Sequence, residues 1–183
     1  VILCILYLKH KFNFNVETTV LEVTLLALIV FLFFNFFGKA YLGDNGSYLI
    51  SFIIGIFLIE FSNRGLFNEE VSRNLSPYFV ACLLWYPAYE NLFSIIRKKV
   101  KKISPAEPDN KHLHQLIFLE LKRKSKFDNR VLNTFSGIII NIYNLFVFLI
   151  SVNNFTNTKI LIIILCINIL TYTALYSFLK KGA

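Results

Sequence analysis

The sequence predicts an all-α polytopic transmembrane helix bundle, with about five complete spans plus the tail of one more. Three observations predict it. The chain of 183 residues is 56% hydrophobic and holds 20 Phe. Its mean hydropathy is +0.59, too apolar for an ordinary soluble domain. The apolar residues fall in blocks close to the roughly 20 residues that a helix needs to cross a bilayer. The basic residues fall between the blocks: 11 of the 19 lie in Arg97–Arg130.

Val1–Leu8 reads as the tail of a span. The chain has no Met and opens inside an apolar run, so it reads as the C-terminal part of a longer protein, and no signal peptide can be judged from it. Thr18–Phe37 is the first full block. Tyr48–Phe61 is short and carries Glu60 and Arg64 at its far end; it can continue to Phe67 with those charges near the interface. Tyr78–Ile96 contains Pro87, which is expected to kink it. Val131–Ser151 and Ile160–Leu179 complete the set. Every span is expected to be a helix, because lipid offers backbone groups no partners. Asn141, Asn144 and Asn168 lie inside the late spans and read as glue between helices. Cys4, Cys82 and Cys166 show no metal or disulfide spacing and read as small buried apolar residues. With no internal repeat, residues 1–183 read as a single membrane domain.

The positive-inside rule places Arg97–Arg130 in the cytoplasm. Alternation then makes Gly38–Ser47 cytoplasmic, Ser62–Ser76 and Val152–Lys159 external, and the Lys180-Lys181 end cytoplasmic. Lys9 and Lys11 fall outside, a mild violation of the rule. The net charge of +8 does not point to nucleic acid, since its densest cluster is flanked by spans. Anionic headgroups are a simpler partner for it.

Two polar islands share the cytoplasmic face and could build one site. Gly43-Asp44-Asn45-Gly46-Ser47 reads as a tight, glycine-flanked turn. A carboxylate there suits Mg²⁺, which prefers oxygen and often bridges carboxylates to phosphates, although Asp-Asn-Gly is also a common turn sequence. Lys39 could meet a phosphate or simply snorkel. In the other island, His112 and His114 would diverge on a helix but can point the same way in an extended loop. Such a pair could bind a diphosphate, hydrogen-bond a nucleotide or transfer protons. A zinc site is not expected from this spacing. Glu90 lies just inside the end of its span, where a carboxylate needs a partner, and a loop Lys or Arg is the expected one.

Gly38–Ser47 resembles the Gly-Asp-x-Gly-Ser signature of the polyprenyl-phosphate N-acetylhexosamine-1-phosphate transferases. Pro87-Ala88-Tyr89-Glu90, followed by Arg97-Lys98, resembles that family's Pro-x-x-Asp helix with its basic sequel. Pro108-Asp109-Asn110-Lys111-His112-Leu113-His114-Gln115 resembles its Pro-Asp-x-x-His-x-His-His loop. The three occur in the family's order and on one side of the membrane. The resemblance is close from Thr18 to about Phe118 and positional beyond.

The resemblance implies transfer of a sugar 1-phosphate, with GlcNAc-1-phosphate as the first choice, from a UDP-sugar to a polyprenyl phosphate at a bacterial inner membrane, releasing UMP. Asp44 would be catalytic and hold Mg²⁺, with Mn²⁺ as a substitute. His112 and His114 would be catalytic contacts to the nucleotide or its pyrophosphate. Lys39, Arg97, Asp109 and Lys111 would bind substrate, with Glu90 behind them, and a homodimer is compatible with this picture. Two departures stand out: Gln115 where many members have a third His, and Glu90 where many have Asp. The family's adjacent aspartate pair would lie before Val1, so this stretch alone is expected to be inactive. The alternatives are the phospho-MurNAc-pentapeptide transferase of peptidoglycan synthesis and a non-catalytic lipid-binding or transport subunit. Charged groups gathered at helix ends, rather than near the midplane, favour the enzyme over a transporter.

Overall fold

Six α-helices follow one another along the described residues: α1 (Thr19–Phe36), α2 (Gly43–Asn63), α3 (Pro77–Val100), α4 (Leu113–Lys124), α5 (Asn129–Asn153) and α6 (Thr158–Gly182). The structure, a computed structural model, describes residues 2, 6–7, 10, 19–63, 76–102, 104, 107 and 111–182, with the backbone alone for 60–63 and 182. No strand occurs among the described residues, as the expectation of an all-helical membrane protein requires. Four helices, α1, α3, α5 and α6, are long and apolar enough to cross a membrane. The fifth expected span is α2, whose apolar stretch is the shorter Gly43–Ile59. Its first turn is the polar Gly43–Ser47, so a smaller part of its length remains for the bilayer. The Val1–Leu8 tail, Lys9, Lys11, Cys4 and the expected Ser62–Ser76 loop with Arg64 lie largely or wholly outside the described residues, as does the Glu60 side chain.

Contacts divide the chain into two compact units, Val1–Val80 and Ala81–Ala183. In the first, α1 is apolar all round, and Leu26 is 64% and Phe36 67% exposed. A helix hydrophobic on every face and left uncovered suits lipid as its solvent. It ends in a Schellman cap. Gly38 takes φ +68, its N–H donates to Asn35 O, and the Lys39 N–H donates back to Phe34 O at 3.0 Å. Asn35 Nδ2 then donates to Ala40 O at 2.8 Å. The expected Gly-Asp-Asn-Gly turn is instead the start of α2. Gly43 supplies φ +65, and Asp44 sits in the first helical turn, where the helix dipole favours an acid. Ser47 Oγ donates to Gly43 O at 2.8 Å. A Cβ on Gly46 would stand 2.9 Å from the Leu42 side chain, so the second glycine makes room rather than a bend.

In the second unit, α3 runs unbroken through Pro87. The stretch expected to be one basic loop contains α4. Its Leu113, Leu116 and Ile117 are buried, an i, i+3, i+4 stripe, and they join a core with Trp85, Val147, Tyr172, Tyr176 and Leu179. The helix therefore packs its apolar side on α5 and α6 while Lys122, Arg123 and Lys124 crowd its last turn. Asn157 caps α6 by accepting the Ile160 N–H at 3.2 Å. The expected interhelical glue is present at Asn168, whose Oδ1 accepts from Tyr143 OH at 2.7 Å. Asn141 is exposed, and Asn144 Oδ1 is buried without a partner among the described residues. Cys82 is buried as expected, whereas Cys166 is exposed.

Candidate functional site

Glu90 is 8% exposed and lies just past the middle of α3. Burying a carboxylate is costly unless it is hydrogen-bonded, and α4 supplies what it needs. Glu90 Oε1 lies 2.9 Å from His112 Nδ1 and accepts the Leu113 N–H at 3.0 Å. The partner is thus a histidine and a helix end, in place of the expected loop Lys or Arg. His112 itself is the N-cap, in extended backbone (φ −72, ψ 155). Its own N–H donates to Gln115 Oε1 at 2.9 Å. Gln115, where the resembled loop has a third His, is therefore a capping side chain.

His112 and His114 are brought together, though not by the expected extended loop. One caps α4 and the other lies in its first turn. Their rings face each other at 5.7 Å between centroids with planes 9° from parallel. His114 is exposed, yet the protein beside it desolvates the ring enough to lower its pKa from the ordinary value. The Glu90 charge opposes that shift and the His112 charge adds to it.

The basic sequel of α3 braces the segment that leads into α4. Arg97 Nη1 donates to Lys111 O at 2.6 Å and to Tyr176 OH at 2.5 Å. Its guanidinium lies 5.3 Å from the Tyr176 ring centroid and 6.0 Å from that of Phe93. Lys98 Nζ donates to Glu107 O. Arg97, expected to meet substrate, is thus engaged in holding the protein, and Lys111 takes part through its carbonyl. Asp109, with Pro105, Pro108 and Asn110, lies outside the described residues. Lys39 and Asp44 are exposed in the first unit.

Behind the pair, the Tyr86 and Tyr172 hydroxyls are near enough to feel the Glu90 charge. Yet Glu90 Oε2 and both hydroxyls are buried without hydrogen-bond geometry among the described residues. Beside them is a cavity of about 120 Å³ under α4, lined by Trp85, Tyr86, Leu113, Tyr143 and Tyr172 with Thr171 and aliphatic neighbours. Tyr172, Tyr176 and Phe93 escaped the sequence reading. The four-residue spacing of Tyr172 and Tyr176 in an otherwise apolar span was the available signal. No group of three metal-ligating side chains occurs among the described residues. Asp44 offers one carboxylate, which fits a metal carried largely by substrate phosphates and does not by itself make a protein-held metal site.

The fold and this pair define a helical membrane protein with a carboxylate-held imidazole where a basic helix end meets an amphipathic helix. Part of the chain is similar to the decaprenyl-phosphate N-acetylglucosaminephosphotransferase of Mycolicibacterium smegmatis (strain ATCC 700084 / mc(2)155). The identity is 33% over 84 residues, covering 43% of this chain and 21% of that protein. The chain thus spans about a fifth of the relative's length. The similarity supports the family of polyprenyl-phosphate sugar-phosphate transferases without selecting a member. No protein-family profile matches the chain, and no solved structure does.

Proposed function

We propose that the protein carrying this chain transfers a sugar 1-phosphate, GlcNAc-1-phosphate in the first instance, from a UDP-sugar to polyprenyl phosphate. A lipid phosphate oxygen forms a bond to the β-phosphorus of the sugar nucleotide. The bond from that phosphorus to the bridging oxygen breaks, and UMP leaves with the electron pair. The observation that carries the reading is the imidazole pair at the N-terminus of α4, with His112 held by Glu90. A protonated ring nitrogen there can donate to a diphosphate, a bare one can accept from an N–H or hydroxyl of the nucleotide, and the helix N-terminus favours anions. The work is mainly positioning and electrostatics. The apolar cavity beside the pair suits isoprenoid carbons. Similarity to a decaprenyl-phosphate phosphotransferase supports the same substrate class.

Asp44 is assigned to Mg²⁺, or Mn²⁺ in its place, as one oxygen ligand among several from substrate. Such a cation, when bound, neutralises charge on the diphosphate. The density of basic residues in 97–130 supports a cytoplasmic side for the site, where UDP-sugars are found.

The test uses membranes containing the full-length protein, polyprenyl phosphate and UDP-sugar labelled in the sugar. Label should enter an organic-extractable lipid. UDP-GlcNAc and UDP-MurNAc-pentapeptide as rival donors separate the two transferase readings. Asp44→Asn should lower transfer by roughly two or more orders of magnitude with membrane insertion intact. Near-normal transfer would remove Asp44 from the site, and no lipid product from any UDP-sugar would end the transferase reading.

A further inference from the structure

One oxygen of Glu90 serves two donors. Oε1 accepts the Leu113 backbone N–H at 3.0 Å and lies 2.9 Å from His112 Nδ1. An sp² oxygen has two acceptor directions, and both are taken. With the carboxyl ionised, Oε1 has no hydrogen and can only accept. Nδ1 must then carry the hydrogen. The backbone that carries the ring is held too. The His112 N–H is tied to Gln115 Oε1, and α4 is seated by buried Leu113, Leu116 and Ile117. A flipped ring would put a C–H against Oε1 and lose the bond.

We propose that Glu90 is a positioning residue that commits His112 to the Nδ1–H tautomer, so that Nε2 is the ring atom presented to substrate. Its catalytic importance rests on the transferase reading; the tautomer does not. The same geometry makes an uncommon prediction about Glu90→Gln. In an ordinary carboxylate–histidine pair, an amide can turn its NH₂ toward the ring and impose the wrong tautomer. Here the Leu113 N–H is a fixed donor on the same atom. An NH₂ in that place would face it donor to donor, so the Gln carbonyl must take the position and the tautomer survives. Position, rather than charge, is what Glu90 contributes.

The experiment is ¹⁵N NMR of the ring nitrogens in ¹⁵N-histidine-labelled full-length protein in lipid nanodiscs, about two pH units above the ordinary histidine value. The His112 signals are identified by their loss in His112→Gln. The expected result is a protonated Nδ1 and a bare Nε2 in both wild type and Glu90→Gln. In Glu90→Leu the ring should relax to a tautomer mixture, and kcat should fall about 100-fold with KM nearly unchanged. Glu90→Gln should stay within about tenfold of wild type. An Nε2–H ring in wild type, or a tautomer switch in Glu90→Gln, overturns the proposal. If Glu90→Leu does not fold, those two spectra still decide it. If no variant or wild type transfers sugar phosphate, the transferase reading fails while the spectra still settle the tautomer.

Discussion

His114 shows how one ionisable side chain can be read for sign as well as place. Desolvation lowers its pKa, the Glu90 charge pulls it back up, and the His112 charge lowers it further. In the folded state it therefore binds a proton less tightly than in the unfolded chain, whose value is near 6.5. Above that pH neither state holds the proton and the group contributes no pH dependence. As pH falls through and below it, protonation favours the unfolded chain and stability declines. A histidine NMR titration should place His114 below 6.5. Glu90→Gln should lower it further, because the charge that raises it is gone. A value at or above the ordinary one would mean that desolvation does not outweigh the Glu90 charge. The types of residue at this site were legible: a carboxylate at a span end needs a partner, and two histidines close in sequence invite one ligand. Which atoms meet was not legible, because Glu90 and His112 are 22 residues apart and either could have found another partner.

At the scale of elements, α4 was the feature most easily missed. Its density of Lys and Arg reads as a loop, yet Leu113, Leu116 and Ile117 repeat at helical spacing. Burial of that stripe against α5 and α6 outweighs the charged composition, whose cations lie at the solvent-facing end. The helix then sets the histidine geometry, since His112 is its cap. Arg97 and Tyr176 brace the entry to it. Tyr176→Phe keeps the ring under the guanidinium and removes one hydrogen bond, a loss of about 1 kcal/mol. Arg97→Ala removes two bonds and the stacking and should cost more, about 2–3 kcal/mol. Thermal unfolding in detergent measures both. Hydrogen exchange should rise at the amides of Lys111 to Leu116, and unchanged exchange in Arg97→Ala would show that the brace holds nothing.

For the whole molecule, the open quantity with a direct test is sidedness. Charge asymmetry predicts that Lys39 and Lys122 face the cytoplasm and Asn154 the other side. Single Lys39→Cys, Lys122→Cys and Asn154→Cys variants, in a background without Cys4, Cys82 and Cys166, can be treated with a membrane-impermeant maleimide. In sealed right-side-out vesicles Asn154→Cys should label, while the two lysine positions should label only after the vesicles are opened. Labelling of Lys39→Cys and Lys122→Cys from opposite sides would break the cytoplasmic reading of one of them. Each unit also bears on the lipid question by itself. The apolar, uncovered α1 and the apolar outer sides of α5 and α6 leave large side chains such as Phe33, Phe146 and Leu170 exposed, which only an apolar solvent tolerates on this scale.

Composition and block length by themselves determined that the chain is helical and membrane-bound, because a bilayer allows few other solutions for long apolar runs. The same blocks located α1, α3, α5 and α6 to within a few residues. Tertiary structure alone decided that Gly43–Ser47 begins a helix, that α4 exists within the basic stretch, and that Arg97 and Lys98 hold backbone carbonyls. It also decided that Glu90 reaches His112 and the Leu113 amide through one oxygen. The reason is physical. Hydropathy is a property of each residue and its near neighbours, whereas a hydrogen bond across helices depends on where packing leaves two atoms, and no local pattern encodes that.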